Sequence, residues 1–222
     1  MVIGLLALTA IPTVTGVANA VSQQQKQAQD AKLSQKCNLL CYCEARSSRA
    51  SQIHGKPLWL CNDKLYVSEG PPAALNVQDV GHPFEGFYMG FPREPDNPMG
   101  LVSMSSKSPP AMGWVYVDRD TREVRYGNRS TSMPHIVGAW GWTEDEVGVT
   151  LQGVEAFVVV EEQEGVWAVY WDRKGDGKGL PRGKRVLEIS VERRPIEEEG
   201  PQQGVQVTRE ERGEEKSRTQ YK

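Results

Sequence analysis

The feature that most constrains how this chain folds is a series of short runs of β-branched and aromatic residues, each bounded by turn-forming residues. The clearest pair is EAFVVVEE at 155–162 and GVWAVYWD at 165–172, with Gln163 and Glu164 between them. Two such runs joined by a short link next to a glycine are typical of a β-hairpin. The pattern therefore predicts antiparallel strands in this part of the chain.

The same signal recurs through the middle of the chain. Asn62 and Asp63, whose side chains tolerate a left-handed backbone, separate two more such runs and predict a second hairpin. A third hairpin is predicted around the polar link 119–122. The strands expected outside the first hairpin are 37–45, 58–61, 64–67, 84–91, 114–118, 123–126 and 185–192.

These runs predict an all-β fold of eight to ten strands, either an antiparallel β-sandwich or a partly closed barrel. In the last run Leu187, Ile189 and Val191 alternate with polar residues, as in a sheet with one face in water. Strands and helices do not alternate along the sequence. A doubly wound nucleotide-binding sheet is therefore not expected.

Composition divides the 222 residues into four segments. Residues 1–20 hold no charged side chain, and 21–36 are polar without glycine or proline, as in a hydrophilic helix or a spacer. Residues 37–194 form the predicted β-domain, which is long enough to bury a self-supporting core. Residues 195–222 carry dense mixed charge and are predicted to be disordered, because they cannot bury enough apolar surface to offset their ordering entropy.

The apolar opening segment leaves two alternatives. Ala18-Asn19-Ala20 before Val21 fits the cleavage site of a secretory signal, so that the chain would be secreted after cleavage at Ala20. No Lys or Arg precedes the apolar run, whereas Lys26 and Lys32 follow it. That asymmetry favours a retained arm on an intracellular protein, cytosolic or in peripheral contact with a membrane through residues 1–20.

The charge balance limits the classes of partner. The chain has 26 basic and 29 acidic residues, and its isoelectric point is about 5.7. It also lacks a basic stripe with interleaved aromatic residues, so a nucleic-acid partner is not expected.

The four cysteines are Cys37, Cys41, Cys43 and Cys61. If 37–45 is a strand, the side chains of Cys37, Cys41 and Cys43 share one face. Neighbouring cysteines on that face are then at the distance limit for a disulfide. The preferred prediction is that the cysteines are buried thiols. A disulfide from Cys61 to Cys41 or Cys43 stays an alternative. No spacing typical of a zinc site is present, and we expect neither a metal nor a cofactor.

Five residues are candidates for a ligand pocket. Trp140, Trp142 and Trp171 belong to a concentration of tryptophans, which are core side chains in most proteins but also line ligand pockets. His82 and His135 lie in predicted loops and could act as acid–base groups. No nucleophile motif accompanies either histidine, so no catalytic residue is assigned.

Five strings of the sequence are distinctive when taken together: MVIGLLALTAIPTVTGV at 1–17, GHPFEGFY at 81–88, YGNR at 126–129, HIVGAWGWT at 135–143 and GVWAVYWD at 165–172. Together they resemble a group of proteins from filamentous fungi, whose members start with a sequence similar to 1–17. The resemblance covers most of 1–194. The resemblance implies a fungal source and a retained opening segment; the group has no established activity, so it implies no functional residues.

Three functions follow as hypotheses. We expect a non-enzymatic β-domain that binds a partner protein through its loops and its apolar arm. The second hypothesis is a domain that binds a small molecule or a glycan through its tryptophans. The third is a hydrolase or isomerase that uses His82 or His135. The identity of the partner and the oligomeric state are not determined at this level.

Overall fold

The computed structural model describes residues 12–72, 81–107 and 110–196. Residues 1–11 of the apolar opening segment lie outside this range. The predicted disordered tail also lies outside it from residue 197 onward.

Fourteen strands, two α-helices and one 3₁₀ turn make up the described part of the chain. The helices are α1 (Pro12–Ser34) and α2 (Arg129–Ser132), and the 3₁₀ turn is Ala50–Gln52. The strands are β1 (Cys37–Tyr42), β2 (Lys56–Cys61), β3 (Lys64–Val67), β4 (His82–Pro83), β5 (Gly86–Gly90), β6 (Met99–Lys107), β7 (Pro110–Val117), β8 (Val124–Gly127), β9 (Trp140–Trp142), β10 (Val149–Leu151), β11 (Phe157–Gln163), β12 (Val166–Trp171), β13 (Val186–Glu188) and β14 (Ser190–Pro195).

The all-β antiparallel prediction is confirmed, and the strand pairings close on themselves. One circuit runs β1–β2–β3–β8–β7–β6–β5 and returns to β1. The path β1–β2–β3–β12–β11–β13 continues along the chain from β13 into β14, which pairs with β1. Each strand of the closed circuit has a partner on both sides, which removes the exposed sheet edges that are the main hazard of antiparallel folds. The architecture is therefore barrel-like rather than two separate stacked sheets.

The three predicted hairpins form where the sequence places them. They are β2–β3, β7–β8 and β11–β12. Asn62 and Asp63 form the turn of the β2–β3 hairpin with φ of 48° and 59°, in the left-handed region that these side chains tolerate. The local sequence therefore decides the hairpins.

The expected number of strands was wrong, because several strands are too short to show alternation in sequence. Strands β4, β9, β10 and β13 have two or three residues each. The predicted single strand at 185–192 is divided at Ile189, whose N–H donates to the Phe157 carbonyl. Strand β13 before it pairs with β11, and β14 after it pairs with β1.

Helix α1 crosses the compositional boundary at residue 20 and contacts the β-structure near its C-terminal end. Leu33 packs against the core, and Lys32 Nζ lies 2.6 Å from Glu146 Oε1. Side chains 23–32 are exposed all round the helix. Among the helices described, none is long and apolar enough to cross a membrane.

A single large apolar cluster fills the space enclosed by the strands. Its largest fully buried side chains include Trp167, Trp171, Tyr88 and Phe84. As predicted, Leu187, Ile189 and Val191 face inward, at 9%, 7% and 2% exposure. Among the described residues, two smaller clusters lie outside the main one, and one of them contains Phe91, Tyr116 and Val137.

We predict that Gly86→Ala strongly destabilises the protein, because Gly86 is paired with both β1 and β6. An added Cβ would overlap the Val102 carbonyl oxygen and come within 2.6 Å of the Phe84 ring. A loss of about 1–3 kcal/mol in unfolding free energy is expected from such overpacking. Urea denaturation measures it.

The matched control is Gly70→Ala, because nothing lies within 4 Å of a Cβ at that position. It should change the unfolding free energy by less than about 0.5 kcal/mol. Equal effects of the two substitutions would contradict the close approach at Gly86.

Candidate functional site

A surface cavity of about 580 Å³ lies between the β5–β6 connection and the start of α2. We call it the arginine cavity. Its lining residues are Pro92, Arg93, Glu94, Asn97 and Arg129.

Backbone and side-chain hydrogen bonds fix the shape of the arginine cavity. The Arg129 guanidinium donates from Nε and Nη2 to the Pro92 carbonyl, at 3.2 and 2.7 Å. The N–H of Asn97 donates to the Arg93 carbonyl at 2.6 Å, and the N–H of Phe91 donates to the Pro98 carbonyl at 2.8 Å. These hydrogen bonds within the protein hold the loop and the start of α2 in place, so the cavity is formed before a ligand binds.

The chemistry of the cavity is dominated by guanidinium groups. Arg93 is half-buried, and among the described residues its side chain has no ion-pair partner. The Arg129 side chain donates to a neutral carbonyl, that of Pro92, and the lining contains one carboxylate, Glu94. Two planar cationic forks against one carboxylate suit an oxyanion such as a carboxylate or a phosphate. No motif in the sequence pointed to these residues, because they come together only through the loop and α2.

Beside the cavity, the outer side of β5, β6 and β7 presents an apolar sheet face, which we call the methionine face. In register, Phe87 lies opposite Val102, Val102 opposite Trp114, and Met104 opposite Met112. Directly opposite residues share a face. The side chains of the methionine face are Phe87, Met89, Val102, Met104, Met112 and Trp114.

The predicted pocket residues do not come together in one site. Trp140 and Trp171 are buried in the main core, at 4% and 1% exposure. Trp140 stacks on Phe157 with ring centroids 6.0 Å apart, and Phe157 lies opposite Trp171 in the β11–β12 pair. These two tryptophans therefore offer little surface to a ligand.

Trp142 is the partly exposed member of the three. Its ring lies 4.2 Å from the Arg193 guanidinium carbon and 5.0 Å from the Tyr88 ring. Arg193 is 6% exposed, and its Nη1 donates to the Glu146 carbonyl at 3.4 Å. The aromatic rings and this carbonyl supply the stabilisation that a buried cation requires.

The two histidines lie apart from the tryptophans and hold local structure. His82 Nδ1 lies 3.0 Å from the Pro83 carbonyl oxygen. His135 stacks on Tyr116 with centroids 4.9 Å apart, and its Nδ1 accepts from the Arg119 N–H at 3.3 Å. These contacts order a strand entry and a loop.

Asp118 completes the loop at His135. Its carboxylate accepts from the N–H groups of Asp120 and Thr121, both at 2.9 Å, and lies 3.6 Å from His135 Nδ1. Burial acts to raise the pKa of Asp118, but the backbone hydrogen bonds from Thr121 and Asp120, with His135 nearby, lower it below its usual value.

The four cysteines are buried thiols, and none of them forms a disulfide. Cys37 and Cys41 face the core from β1, as the predicted face requires. Burial raises the pKa of the Cys41 thiol to about 12. Within the described residues, no group of three or more His, Cys, Asp or Glu side chains could hold a metal ion.

A second polar cluster links strands at the barrel wall. Lys64 Nζ donates to Glu123 Oε1 and Glu162 Oε1, both at 2.7 Å. The Tyr170 hydroxyl donates to Glu162 at 2.6 Å. Burial and the Glu162 carboxylate raise the pKa of Tyr170 far above its usual value, so the hydroxyl stays a donor. The cluster joins β3, β11 and β12 to Glu123, the residue just before β8.

Together these features define a class of protein: an antiparallel, barrel-like β-domain with a polar cavity and an adjoining apolar face. Residues 16–197 match the family model described as a fungal β-trefoil domain, and the chain belongs to that family. The match supports the fungal family that the sequence resembles, while the particular motifs stay a prediction. No curated protein and no solved structure matches the chain.

We predict that Asp118→Asn destabilises the protein by about 1 kcal/mol at pH 7, because a neutral amide accepts the two N–H bonds less strongly than a carboxylate. The folded-state pKa of Asp118 is lowered, so its contribution is present above the unfolded pKa of about 3.9 and is lost as the pH falls through the folded value. Urea denaturation at pH 7, 5 and 3 should show the difference shrinking at pH 3. Asp120→Asn, on the exposed neighbour, is the control, and a difference independent of pH would contradict the assignment.

We also predict that a thiol reagent such as Ellman's reagent reacts with none of the cysteines in the native protein at pH 8, because the thiols are buried and the reactive species is the thiolate. After denaturation without a reductant, all four cysteines should react. Recovery of only two thiols would instead show a disulfide in the native protein.

Proposed function

We propose that this chain is a non-enzymatic binding protein that takes a ligand with a carboxylate or phosphate group in the arginine cavity. The observation that carries the proposal is the pair of guanidinium groups in an open cavity of about 580 Å³. A cavity of that size is within the range of small-molecule sites. The Pro92 carbonyl holds the Arg129 side chain, so little side-chain entropy is lost on binding.

The contacts of the histidines support a binding role over catalysis. His82 and His135 use Nδ1 on backbone groups of their own loops. Catalysis by a histidine needs a nucleophile or a substrate proton within hydrogen-bond reach. In the described part of the chain, neither ring is hydrogen-bonded to a hydroxyl or a thiol.

The burial of the tryptophans favours the cavity over a tryptophan-lined glycan site. Trp140 and Trp171 face the core, and the Arg193 guanidinium lies over the Trp142 ring. A stacking platform for a sugar ring needs an open aromatic face. The arginine cavity offers donors instead.

Calorimetric titration with D-glucuronate, D-glucose and inorganic phosphate tests the proposal. Glucuronate and glucose differ by one carboxylate, so binding of glucuronate alone identifies a carboxylate ligand, and binding of phosphate alone identifies a phosphate ligand. Saturable binding of neither acid, or equal binding of glucose and glucuronate, would overturn the proposal.

We predict that Arg93→Ala weakens binding of the acid that binds by about tenfold or more, because hydrogen bonds to charged groups contribute about 1.5–3 kcal/mol. Arg93→Lys should restore part of the affinity, since it keeps the charge but loses the planar fork. Arg182→Ala, an exposed arginine outside the cavity, is the matched control and should leave the affinity unchanged.

A further inference from the structure

The methionine face is unusual because it lies on the outer side of the sheet and its six side chains are all apolar, although Val102 itself is buried at 2% exposure. The outward side of an antiparallel sheet normally carries polar residues that contact water. Here Met89 and Met112 are 42% and 51% exposed, and Phe87, Met104 and Trp114 are partly exposed. Adjoining exposed apolar side chains of this kind mark interaction sites.

A fixed aromatic ring lies at one end of the methionine face. The Trp114 ring packs edge-on to Phe91, with centroids 4.8 Å apart. It also covers Gly100 so closely that a Cβ there would come within 2.6 Å of it. A held tryptophan flanked by flexible methionines combines a rigid anchor with adaptable contacts, as binding surfaces for protein segments do.

The methionine face is continuous with the arginine cavity. Met89 lies opposite Gly100, and the chain leaves β5 through Phe91 directly into the cavity residues Pro92 and Arg93. On the other side, Gly127 lies opposite Trp114 and is followed two residues later by Arg129. A segment lying along the face therefore reaches the guanidinium groups at its end.

The charges around the methionine face give it a direction. At the β5 start, Glu85 is 3.7 Å from Lys36. Beyond Tyr116, Arg125 lies 3.6 Å from Glu123. At the cavity end the lining carries two arginines and one carboxylate, Glu94, while Asp96 of the same loop is exposed outside the lining. Complementarity then requires an acidic group on the partner at that end.

We propose that the methionine face and the arginine cavity form one docking surface for a segment of another protein that carries apolar side chains followed by carboxylates. The apolar side chains lie on Met89, Met112 and Trp114, and the carboxylates reach Arg93 and Arg129. The acidic end of this proposal rests on the function proposed for the cavity, whereas the apolar part stands on the face alone.

The test uses the full chain and a fluorescein-labelled decapeptide of four alternating Leu-Ser pairs followed by two Glu. One matched peptide replaces the glutamates by lysine, and another replaces the leucines by serine. We expect the first peptide to bind at least tenfold more tightly than either matched peptide in fluorescence anisotropy. Binding no tighter than that of the serine peptide would overturn the proposal.

Protein variants locate the peptide on the surface. The double variant Met89→Gln with Met112→Gln should weaken binding about tenfold and leave the thermal midpoint unchanged, since both side chains are exposed. Met133→Gln, at a methionine that is 40% exposed outside the face, is the control and should leave binding unchanged. Equal effects of the double variant and the control would overturn the proposal.

Arg93→Ala separates this proposal from the cavity proposal. It should abolish the preference for glutamate over lysine and keep the preference for leucine over serine. Suppose that glucuronate and phosphate fail to bind, but that the preference for leucine depends on Met89 and Met112. That result would overturn the proposed cavity function and would support docking on the methionine face.

Two further measurements show whether the methionine face is instead covered by a second copy of the chain or by another segment of the same chain. Sedimentation that shows a dimer disrupted by Met112→Gln would assign the face to a second copy of the chain. Displacement of the decapeptide by a synthetic peptide of residues 197–222 would assign it to the chain itself. Either result would overturn docking of a separate partner.

Discussion

The pairing of β1 with strands from three distant parts of the chain is the constraint on which the rest of the structure depends. Cys37 lies opposite both Pro195 and Gly86, and Cys41 lies opposite Val191 and Lys56. Each pairing closes a circuit of strands, so the main core is enclosed rather than covered on one side. The long sequence separations carry a large loop-closure cost that burial of the core must offset.

Closure also explains which polar groups the interior keeps. Arg193 lies on the closing strand β14 and packs against Trp142, Tyr88 and a backbone carbonyl. Lys64 on β3 donates hydrogen bonds to Glu123 and Glu162 at the wall of the barrel. Contacts of this kind offset part of the cost of burying a charge, although Arg193 Nε has no hydrogen-bond partner in the described part of the chain. The arginine cavity differs, because its guanidinium groups face outward and keep capacity for a ligand.

The division of labour between the two sides of β5, β6 and β7 links fold to function. The inward side carries Tyr88, Leu101 and Val115 into the core. On the outward side Val102 is buried and Trp114 packs with Phe91, whereas Met89 and Met112 are exposed. The exposed methionines are therefore the part of this side that is available for recognition.

The sequence by itself determined the hairpins, the inward face of 185–192 and the one-face pattern of the cysteines, because each depends on residues within about ten positions. It also determined the all-β class. The tertiary structure decided the closure of the barrel, the split at Ile189 and the burial of Trp140 and Trp171, because these depend on which distant strands pair. It also decided the candidate site: Arg93 and Arg129 are 36 residues apart in an unremarkable stretch of sequence, and only the packing of a loop against α2 brings their charges to one cavity.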